Sequence, residues 1–388
     1  MHIYTNEKMK NSDYIKNDLE KYSKKDFHFS EGKILGSMCT NPHPIAKKAL
    51  IKFYDTNLGD PKLFPGTKKL EEKYILFLKK LLNAPKNSSA IIGSGGTEGN
   101  ITAIWLAKNI SKKKEVIIPE SAHFSFKKIA SLMDVKIVTI PLDRDYILDI
   151  SKLKRKINNN TCAVVGIAGS TELGTIDPIT NISEICNEEH IFLHVDAAFG
   201  GYVIPFLKEL GYKVSDFDFK IKNVSSISLD AHKMGCSVIP MGALLIRKKE
   251  WLKHITVKTP YISIKEQAGI LGTRPGGTVA GAYALSEYLG FEGYKKIVKN
   301  CMNNTKYLEK KIKDIGLKLV TKPSMNVIGI NLKKPGLVTK NLFEKGWIVN
   351  RMDRLSAIRI VIMPHVKRKN IDEFLPILRK VCKQAKEI

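Results

Sequence analysis

The chain of 388 residues carries 64 lysine and arginine side chains against 38 aspartates and glutamates, a formal net charge of +26. Its 43% hydrophobic content is spread out without a long apolar run, which argues against a membrane-spanning helix. Lysine supplies 55 of the basic residues and arginine only 9, and the lysines are dispersed along the chain. A Lys-rich solvated surface therefore explains the charge better than a nucleic-acid-binding face, which concentrates its basic residues.

The cysteines and the start of the sequence bear on the cellular compartment. No Cys-x-x-Cys pair is present, and scattered thiols are typical of a reducing compartment rather than of a disulfide framework or a zinc site. The scattered cysteines are Cys39, Cys162, Cys186, Cys236, Cys301 and Cys382. The first residues are polar and do not resemble a secretory signal. We therefore expect a cytoplasmic protein without membrane attachment and without a metal ion.

Apolar runs alternate with amphipathic stretches along the chain, which predicts an α/β fold with a mainly parallel central sheet. We expect an N-terminal segment at residues 1–50, a large domain at 51–284 and a small C-terminal α/β domain at 285–388. The strands predicted for the large domain are Ala90–Ile92, Val116–Pro119, Ile137–Ile140, Ala163–Ala168, Phe192–Val195, Ile227–Leu229 and Ala243–Ile246. Those predicted for the small domain are Asn326–Leu332 and Ala357–Met363. Sheets of this kind bind ligands at the carboxyl ends of their strands.

A glycine-rich segment, Gly93-Ser-Gly-Gly-Thr-Glu-Gly-Asn100, follows the first predicted strand and precedes an amphipathic helix. Such a turn presents backbone N–H groups and the positive end of a helix dipole, which suit a phosphate group. Gly96 and Thr97 are the candidate phosphate contacts. An ordinary strand-to-helix turn has the same pattern, so this segment alone leaves both interpretations open.

Two further strand ends carry candidate binding residues. His123 follows the strand at 116–119, where its imidazole could stack on a flat heteroaromatic ring or could cap a helix. Thr171 lies in a turn of small residues after the strand at 163–168, where its hydroxyl could bind a phenolic oxygen. A plain loop is the alternative for Thr171.

Asp196 and Lys233 each end an apolar run. A carboxylate in this setting needs a partner, and a protonated pyridine nitrogen is a suitable one. A partly desolvated lysine is expected to have a lowered pKa, which favours the amine that bonds to an aldehyde. Ala198 leaves room for a ring. Each residue alone fits a surface salt bridge, but their order with the preceding motifs predicts a pyridoxal-phosphate site.

Arg359 lies inside the predicted apolar strand at 357–363. A buried guanidinium needs an anion, and its planar fork matches a carboxylate in a bidentate manner. The α-carboxylate of an amino-acid substrate would serve, and an internal salt bridge is the alternative.

From about residue 30 onward the chain resembles the group II pyridoxal-phosphate-dependent decarboxylases of fold type I. Within that family it is most similar to the archaeal tyrosine/aspartate decarboxylases of methanogens. The segments that carry the resemblance are Thr56-Asn-Leu-Gly-Asp-Pro61, Gly95-Gly-Thr-Glu98, Ala122-His123, His194-Val-Asp-Ala-Ala198, Asp230-Ala-His-Lys233, Leu271-Gly-Thr-Arg274 and Arg359-Ile-Val-Ile-Met-Pro-His365.

The resemblance implies an aspartate-aminotransferase-like fold and α-decarboxylation of an L-amino acid with pyridoxal 5'-phosphate as cofactor. The first substrate that it implies is L-tyrosine, giving tyramine for methanofuran biosynthesis. L-Aspartate is the second, giving β-alanine for coenzyme A biosynthesis. A carbon–carbon lyase or a tRNA-linked cysteine-forming enzyme of the same fold is the alternative, as is a nucleic-acid-binding protein on an inactive scaffold. Carbon dioxide release from free tyrosine separates the decarboxylase from the other enzymes.

The resemblance also implies roles for particular residues around the cofactor. Lys233 would bond to the aldehyde, His123 would stack on the ring, and Asp196 would pair with the ring nitrogen. Thr171 would approach the ring oxygen, and Arg359 would orient the substrate carboxylate. The implied phosphate contacts are Gly96, Thr97 and His232.

The family forms homodimers with active sites at the interface, and this implies two roles near the subunit boundary. Thr273 would reach the phosphate bound by the other subunit. Tyr261 lies in a segment that corresponds to a mobile loop, and it would donate a proton after carbon dioxide leaves. Asp230 is expected to face away from the phosphate, because a carboxylate there would repel it.

Overall fold

The computed structural model describes residues 11–388. The polar residues at the very start of the chain, on which the expected compartment partly rests, lie outside the described residues. Within 11–388 the helices are α1 Ser12–Ser23, α2 Pro44–Lys52, α3 Pro65–Leu81, α4 Gly96–Ser111, α5 Ser125–Met133, α6 Ile150–Lys156, α7 Ile179–Glu188, α8 Ile204–Glu209, α9 Gly276–Asp314, α10 Pro335–Phe343 and α11 Arg368–Gln384. Short 3₁₀ helices occupy Phe29–Glu31, Gly200–Tyr202, Lys249–His254 and Asp353–Leu355.

The strands of the described range form three sheets of seven, three and two strands. Their bounds are β1 Ser89–Gly93, β2 Glu115–Pro119, β3 Lys136–Ile140, β4 Thr161–Ile167, β5 Phe192–Asp196, β6 Val224–Asp230, β7 Gly242–Ile246, β8 Thr256–Lys258, β9 Glu266–Ala268, β10 Val327–Asn331, β11 Asn350–Met352 and β12 Ala357–Val361. Every strand predicted from an apolar run is present. The hairpin β8–β9 and the short strand β11 were not predicted, because their exposed three-residue segments form no apolar run.

The seven-stranded sheet has the order β1-β7-β6-β5-β4-β2-β3. Strands β2 to β6 pair in parallel, whereas β7 is antiparallel to both of its neighbours. The sheet is therefore mainly parallel, as predicted, with one reversed strand that a uniform apolar run could not reveal. Because β7 is reversed, its first residue, Gly242, pairs with Gly93 and with Asp230, the last residues of β1 and β6.

Both faces of this sheet are covered, because successive side chains of a strand point to opposite faces. On β2, Val116 and Ile118 belong to the buried cluster that includes Ile104 and Phe126 of the helices α4 and α5. Ile117, between them, belongs to the main core on the other face. Burial on both faces explains why these strands appear in the sequence as continuous apolar runs.

The C-terminal part of the chain forms the antiparallel sheet β10-β12-β11. Its core, which includes Trp347 and Phe374, packs between this sheet and the helices α10, α11 and the end of α9. Helix α10 begins at Pro335, and proline is favourable in the first turn of a helix. Helix α9 runs across residue 284 and has non-helical backbone angles at Gly290. The division of the chain at residues 50 and 284 stays a prediction.

A buried ion pair fixes the segment that enters α9. The carboxylate of Glu71 in α3 lies 2.6 Å from Arg274 Nη1 and 2.6 Å from Lys68 Nζ. Arg274 also donates to the carbonyl oxygens of Ile92 in β1 (3.1 Å) and Leu58 (3.3 Å). Burial opposes the ionisation of Glu71, but the two cations outweigh it and lower its pKa. The pair thus ties α3, β1 and the start of α9 together.

We predict that Glu71→Gln lowers the free energy of unfolding by about 3 kcal/mol, because a buried cation loses its charged partner. Glu72→Gln is the matched control, since the pair of Glu72 with Lys69 is exposed on both sides and should contribute nothing measurable. Urea denaturation of the two variants measures the difference. Equal effects at the two positions would show that the Glu71 pair does not hold this part of the fold.

Candidate active site

A cavity of about 430 Å³ opens at the edge where the carboxyl ends of β1, β2, β4, β5 and β6 meet. We call this the carboxyl edge. Because the parallel strands end together, motifs far apart in sequence come together around one space. The predicted site residues that line it are Gly96, Thr97, His123, Thr171, Asp196, Ala198, His232 and Lys233.

The glycine-rich turn forms one wall of the cavity, and α4 begins at Gly96. Gly95 has φ 153°, and a Cβ there would lie 2.9 Å from the His232 ring. A Cβ on Gly96 would lie 2.9 Å from the Cβ of Ala198. Both positions therefore require glycine, and the backbone at the start of α4 approaches the cavity directly. Glu98 holds the turn by accepting hydrogen bonds from the Ser94 N–H (2.7 Å) and hydroxyl (2.8 Å).

The carboxylate of Asp196 is 6% exposed and is held by a polar network. Its Oδ2 accepts a 2.8 Å hydrogen bond from the Asn100 amide nitrogen, and its Oδ1 lies 3.3 Å from the Ser228 hydroxyl. The Asn100 oxygen lies 2.9 Å from both Ser228 Oγ and His194 Nε2. His194 Nδ1 in turn lies 2.8 Å from Ser226 Oγ. Because the side-chain oxygen of Asn100 faces Ser228 Oγ and His194 Nε2, its amino group faces Asp196.

His194 is fully buried, and burial lowers its pKa to about 4 although Asp196 opposes the shift. A neutral imidazole that donates from Nε2 satisfies the Asn100 oxygen. Sequence reasoning missed both His194 and Asn100 as site residues. A signal was available: His194 and Asp196 are two residues apart on β5, as Ser226 and Ser228 are on β6, so each pair shares one face of the sheet.

Lys233 lies in the turn after β6, and its Nζ is 3.0 Å from Asp230 Oδ2. Burial lowers the pKa of Lys233, but the carboxylates of Asp230 and Asp196 outweigh burial, so the pKa is raised. The expected lowering of this pKa is therefore wrong. The expectation that Asp230 faces away is also wrong, because Asp230 lines the cavity and is 2% exposed.

His123 lines the cavity between the ends of β2 and α5. Its Nδ1 accepts a 3.2 Å hydrogen bond from the Ser125 N–H, which fixes the ring against the first turn of α5. Burial lowers the pKa of His123, although Asp196 opposes the shift. His123 thus lies both at the carboxyl edge and at the start of a helix, the two positions considered from the sequence.

Three predicted site residues do not line the cavity. Tyr261 is 89% exposed, and Thr273 is exposed. Arg359 is buried in β12, where it donates to the carbonyl oxygens of Thr171 (2.6 Å) and Gly36 (2.7 Å) and to Asn350 Oδ1 (3.1 Å). Its hydrogen bonds thus go to neutral oxygens, and its Nε has no partner among the described residues. Burial lowers the pKa of Arg359 to about 10, opposed by Glu172.

Residues 11–388 contain neither a cluster of metal-binding side chains nor a membrane-spanning helix. Across residues 11–388, no group of three His, Cys, Asp or Glu side chains is placed to hold a metal ion. No helix of the described chain has the length and apolarity needed to cross a membrane.

The fold is that of the fold-type-I pyridoxal-phosphate enzymes, as the sequence predicted. The solved structure of the sphingosine-1-phosphate lyase from Burkholderia pseudomallei K96243 matches with a TM-score of 0.91 at 23% identity. The match covers 100% of this chain and 93% of that one. At this identity the similarity establishes the fold alone.

The family described as "Pyridoxal-dependent decarboxylase conserved domain" matches residues 43–333, and the chain belongs to this family. The L-aspartate/L-glutamate decarboxylase of Pyrococcus horikoshii is 47% identical over 92% of this chain and 94% of its own length. The probable L-tyrosine/L-aspartate decarboxylase of Methanococcus aeolicus is 45% identical over 94% of this chain and 98% of its own. The protein is therefore an amino-acid decarboxylase that uses pyridoxal phosphate, as the resemblance implied.

We predict that the network behind Asp196 makes the stability of the protein depend on pH through His194. Its pKa of about 4 in the fold lies below the ordinary 6.5, so between these values only the unfolded chain takes up a proton. The free energy of unfolding therefore falls as the pH drops from 6.5 to 4, and His194→Gln should remove this part of the loss. His28→Gln, at an exposed histidine, is the control. Identical pH profiles for wild type and His194→Gln in urea denaturation would contradict the assignment.

Proposed function

We propose that this protein removes the α-carboxylate of L-aspartate and of L-tyrosine, giving β-alanine and tyramine. The observation that carries the proposal is the joint placement of Lys233 and Asp196 in one cavity at the carboxyl edge. Aspartate appears in the names of both relatives described above, and tyrosine in that of the methanogen. We further propose that the reaction takes place in the cytoplasm of an archaeal cell, where the products would supply coenzyme A and methanofuran biosynthesis.

The residues that line the cavity fit pyridoxal phosphate. The bare backbone at Gly95 and Gly96 leaves room for a phosphate at the positive end of α4, where Thr97 and His232 would add contacts. The small side chain of Ala198 leaves room for the ring. When bound, the cofactor supplies a protonated ring that accepts the electron pair freed as carbon dioxide leaves.

The proposed roles follow from the position of each side chain. Lys233 would supply the amine that holds the cofactor at its aldehyde carbon. Asp196 would keep a proton on the ring nitrogen, and Asn100 holds that carboxylate in place with its 2.8 Å hydrogen bond. His123 would cover the ring face, and Thr171 would approach the ring oxygen.

Arg359 remains the proposed partner of the substrate α-carboxylate. Its charge is buried, its hydrogen bonds go to neutral oxygens, and one of those oxygens belongs to Thr171, which lines the cavity. A guanidinium in this state would gain from a carboxylate at its Nε, which has no hydrogen-bond partner within residues 11–388.

We also propose a homodimer with shared active sites. Thr273 and Tyr261 do not line the cavity of their own chain and are exposed to solvent. In a dimer, Thr273 would reach the phosphate in the neighbouring subunit, and Tyr261 would donate the proton that replaces carbon dioxide.

The substrate assignment is tested by incubating the purified protein and pyridoxal phosphate with L-aspartate, L-tyrosine or L-glutamate. We expect carbon dioxide together with β-alanine or tyramine. Lys233→Ala should reduce turnover on the order of 10⁴-fold, because the cofactor loses its covalent anchor. The matched control is Lys86→Ala, at an exposed lysine, which should leave turnover unchanged.

Two results would contradict this proposal. Release of an aldehyde without carbon dioxide would indicate a carbon–carbon lyase instead. Full turnover by Lys233→Ala would remove Lys233 from the reaction.

A further inference from the structure

Asp230 lies where the proposed phosphate site meets Lys233. It ends β6, and the paired strand β7 begins opposite it at Gly242. A Cβ on Gly242 would lie 2.6 Å from Asp230 Oδ1, and a Cβ on Gly96 would lie 3.3 Å from Asp230 Oδ2. The carboxylate therefore borders the glycine-rich turn, next to the space proposed for the phosphate.

The two oxygens of this carboxylate have different partners. Oδ2 lies 3.0 Å from Lys233 Nζ and 3.6 Å from His232 Nε2. Oδ1 is buried and has no hydrogen-bond partner within residues 11–388. Its charge also acts on Cys39 of the N-terminal segment, Tyr74 of α3 and His123 after β2. Cys39 is a thiol, Tyr74 is a phenol, and burial lowers the pKa of the His123 imidazole, so none of these three groups is a permanent cation. Lys233 is the fixed cation beside Asp230.

Binding of the cofactor changes this balance. The nitrogen of Lys233 would be committed to the aldehyde carbon, and the glycine-rich turn beside Asp230 would hold a phosphate dianion. Two buried anions in contact repel each other strongly, and a proton between them converts the repulsion into a short hydrogen bond. Asp230 Oδ1 is the oxygen available to take part, because no group in the described part of the chain bonds to it.

We propose that Asp230 binds the phosphate of the cofactor through one shared proton, so that cofactor binding takes up a proton that the phosphate-free analogue does not require. This inference rests on the proposed function. The carboxylate, the phosphate dianion and one proton from solvent combine into a hydrogen-bonded pair with two negative charges instead of three. The affinity for pyridoxal phosphate should therefore fall about tenfold for each unit of rising pH where the shared proton must be taken up.

The test compares two probes on the full-length apoenzyme by calorimetry at pH 8 in buffers of different ionisation enthalpy. Pyridoxal has the ring and the aldehyde but no phosphate, so it reports the proton changes at Lys233 and at the ring nitrogen without any that involve the phosphate. We expect wild type to take up about one proton more with pyridoxal phosphate than with pyridoxal. Asp230→Asn should reduce this difference to near zero, and its affinity for pyridoxal phosphate should depend less on pH.

Two further variants keep the test decisive. Asp230→Ser removes the carboxylate with a smaller side chain, in case the amide of Asp230→Asn perturbs the fold, and should behave like Asp230→Asn. Asp145→Asn, at an exposed carboxylate, should behave like wild type. An equal difference in proton uptake for wild type and the Asp230 variants would overturn the inference while leaving the decarboxylase intact. Failure of the wild type to bind pyridoxal phosphate would instead overturn the proposed function.

Discussion

Two buried carboxylates and one partly buried ammonium lie together at the carboxyl edge of the sheet, and the remainder of the site depends on how these charges are matched. Asp230 pairs with Lys233 at 3.0 Å, and Asp196 receives hydrogen bonds from Asn100 and Ser228. Buried charges are tolerated only when paired and hydrogen-bonded. The sheet meets this requirement by ending its strands side by side, so that residues distant in sequence become neighbours.

The protonation of Lys233 and the orientation of Asp196 both bear on the proposed reaction. The raised pKa of Lys233 favours the ammonium, whereas a bond to an aldehyde requires the amine. Cofactor binding at Lys233 would therefore exchange its ion pair with Asp230 for new contacts. Asp196 differs in this respect, since neutral donors from Asn100 and Ser228 fix the orientation of its carboxylate.

Much of this arrangement could be predicted from the sequence because parallel strands end at one edge. Gly96, His123, Asp196 and Lys233 each follow an apolar run, and that rule alone placed them around one cavity. The reversed direction of β7 could not be predicted, because an apolar run has no polarity. That reversal sets Gly242 opposite Asp230 and leaves space for its carboxylate to turn into the cavity. Electrostatic repulsion between Asp230 and a phosphate had suggested that this carboxylate faces away. The ion pair of Asp230 with Lys233 forms only in the folded turn, so it could not be predicted from the sequence.

Lys233 is the residue that we propose holds the cofactor. Borohydride reduction of the protein loaded with pyridoxal phosphate, followed by proteolysis and peptide mass spectrometry, locates the attached pyridoxyl group directly. The structure predicts one modified site, Lys233, among the 55 lysines of the chain. Stoichiometric label on any other lysine, with Lys233 unmodified, would contradict it.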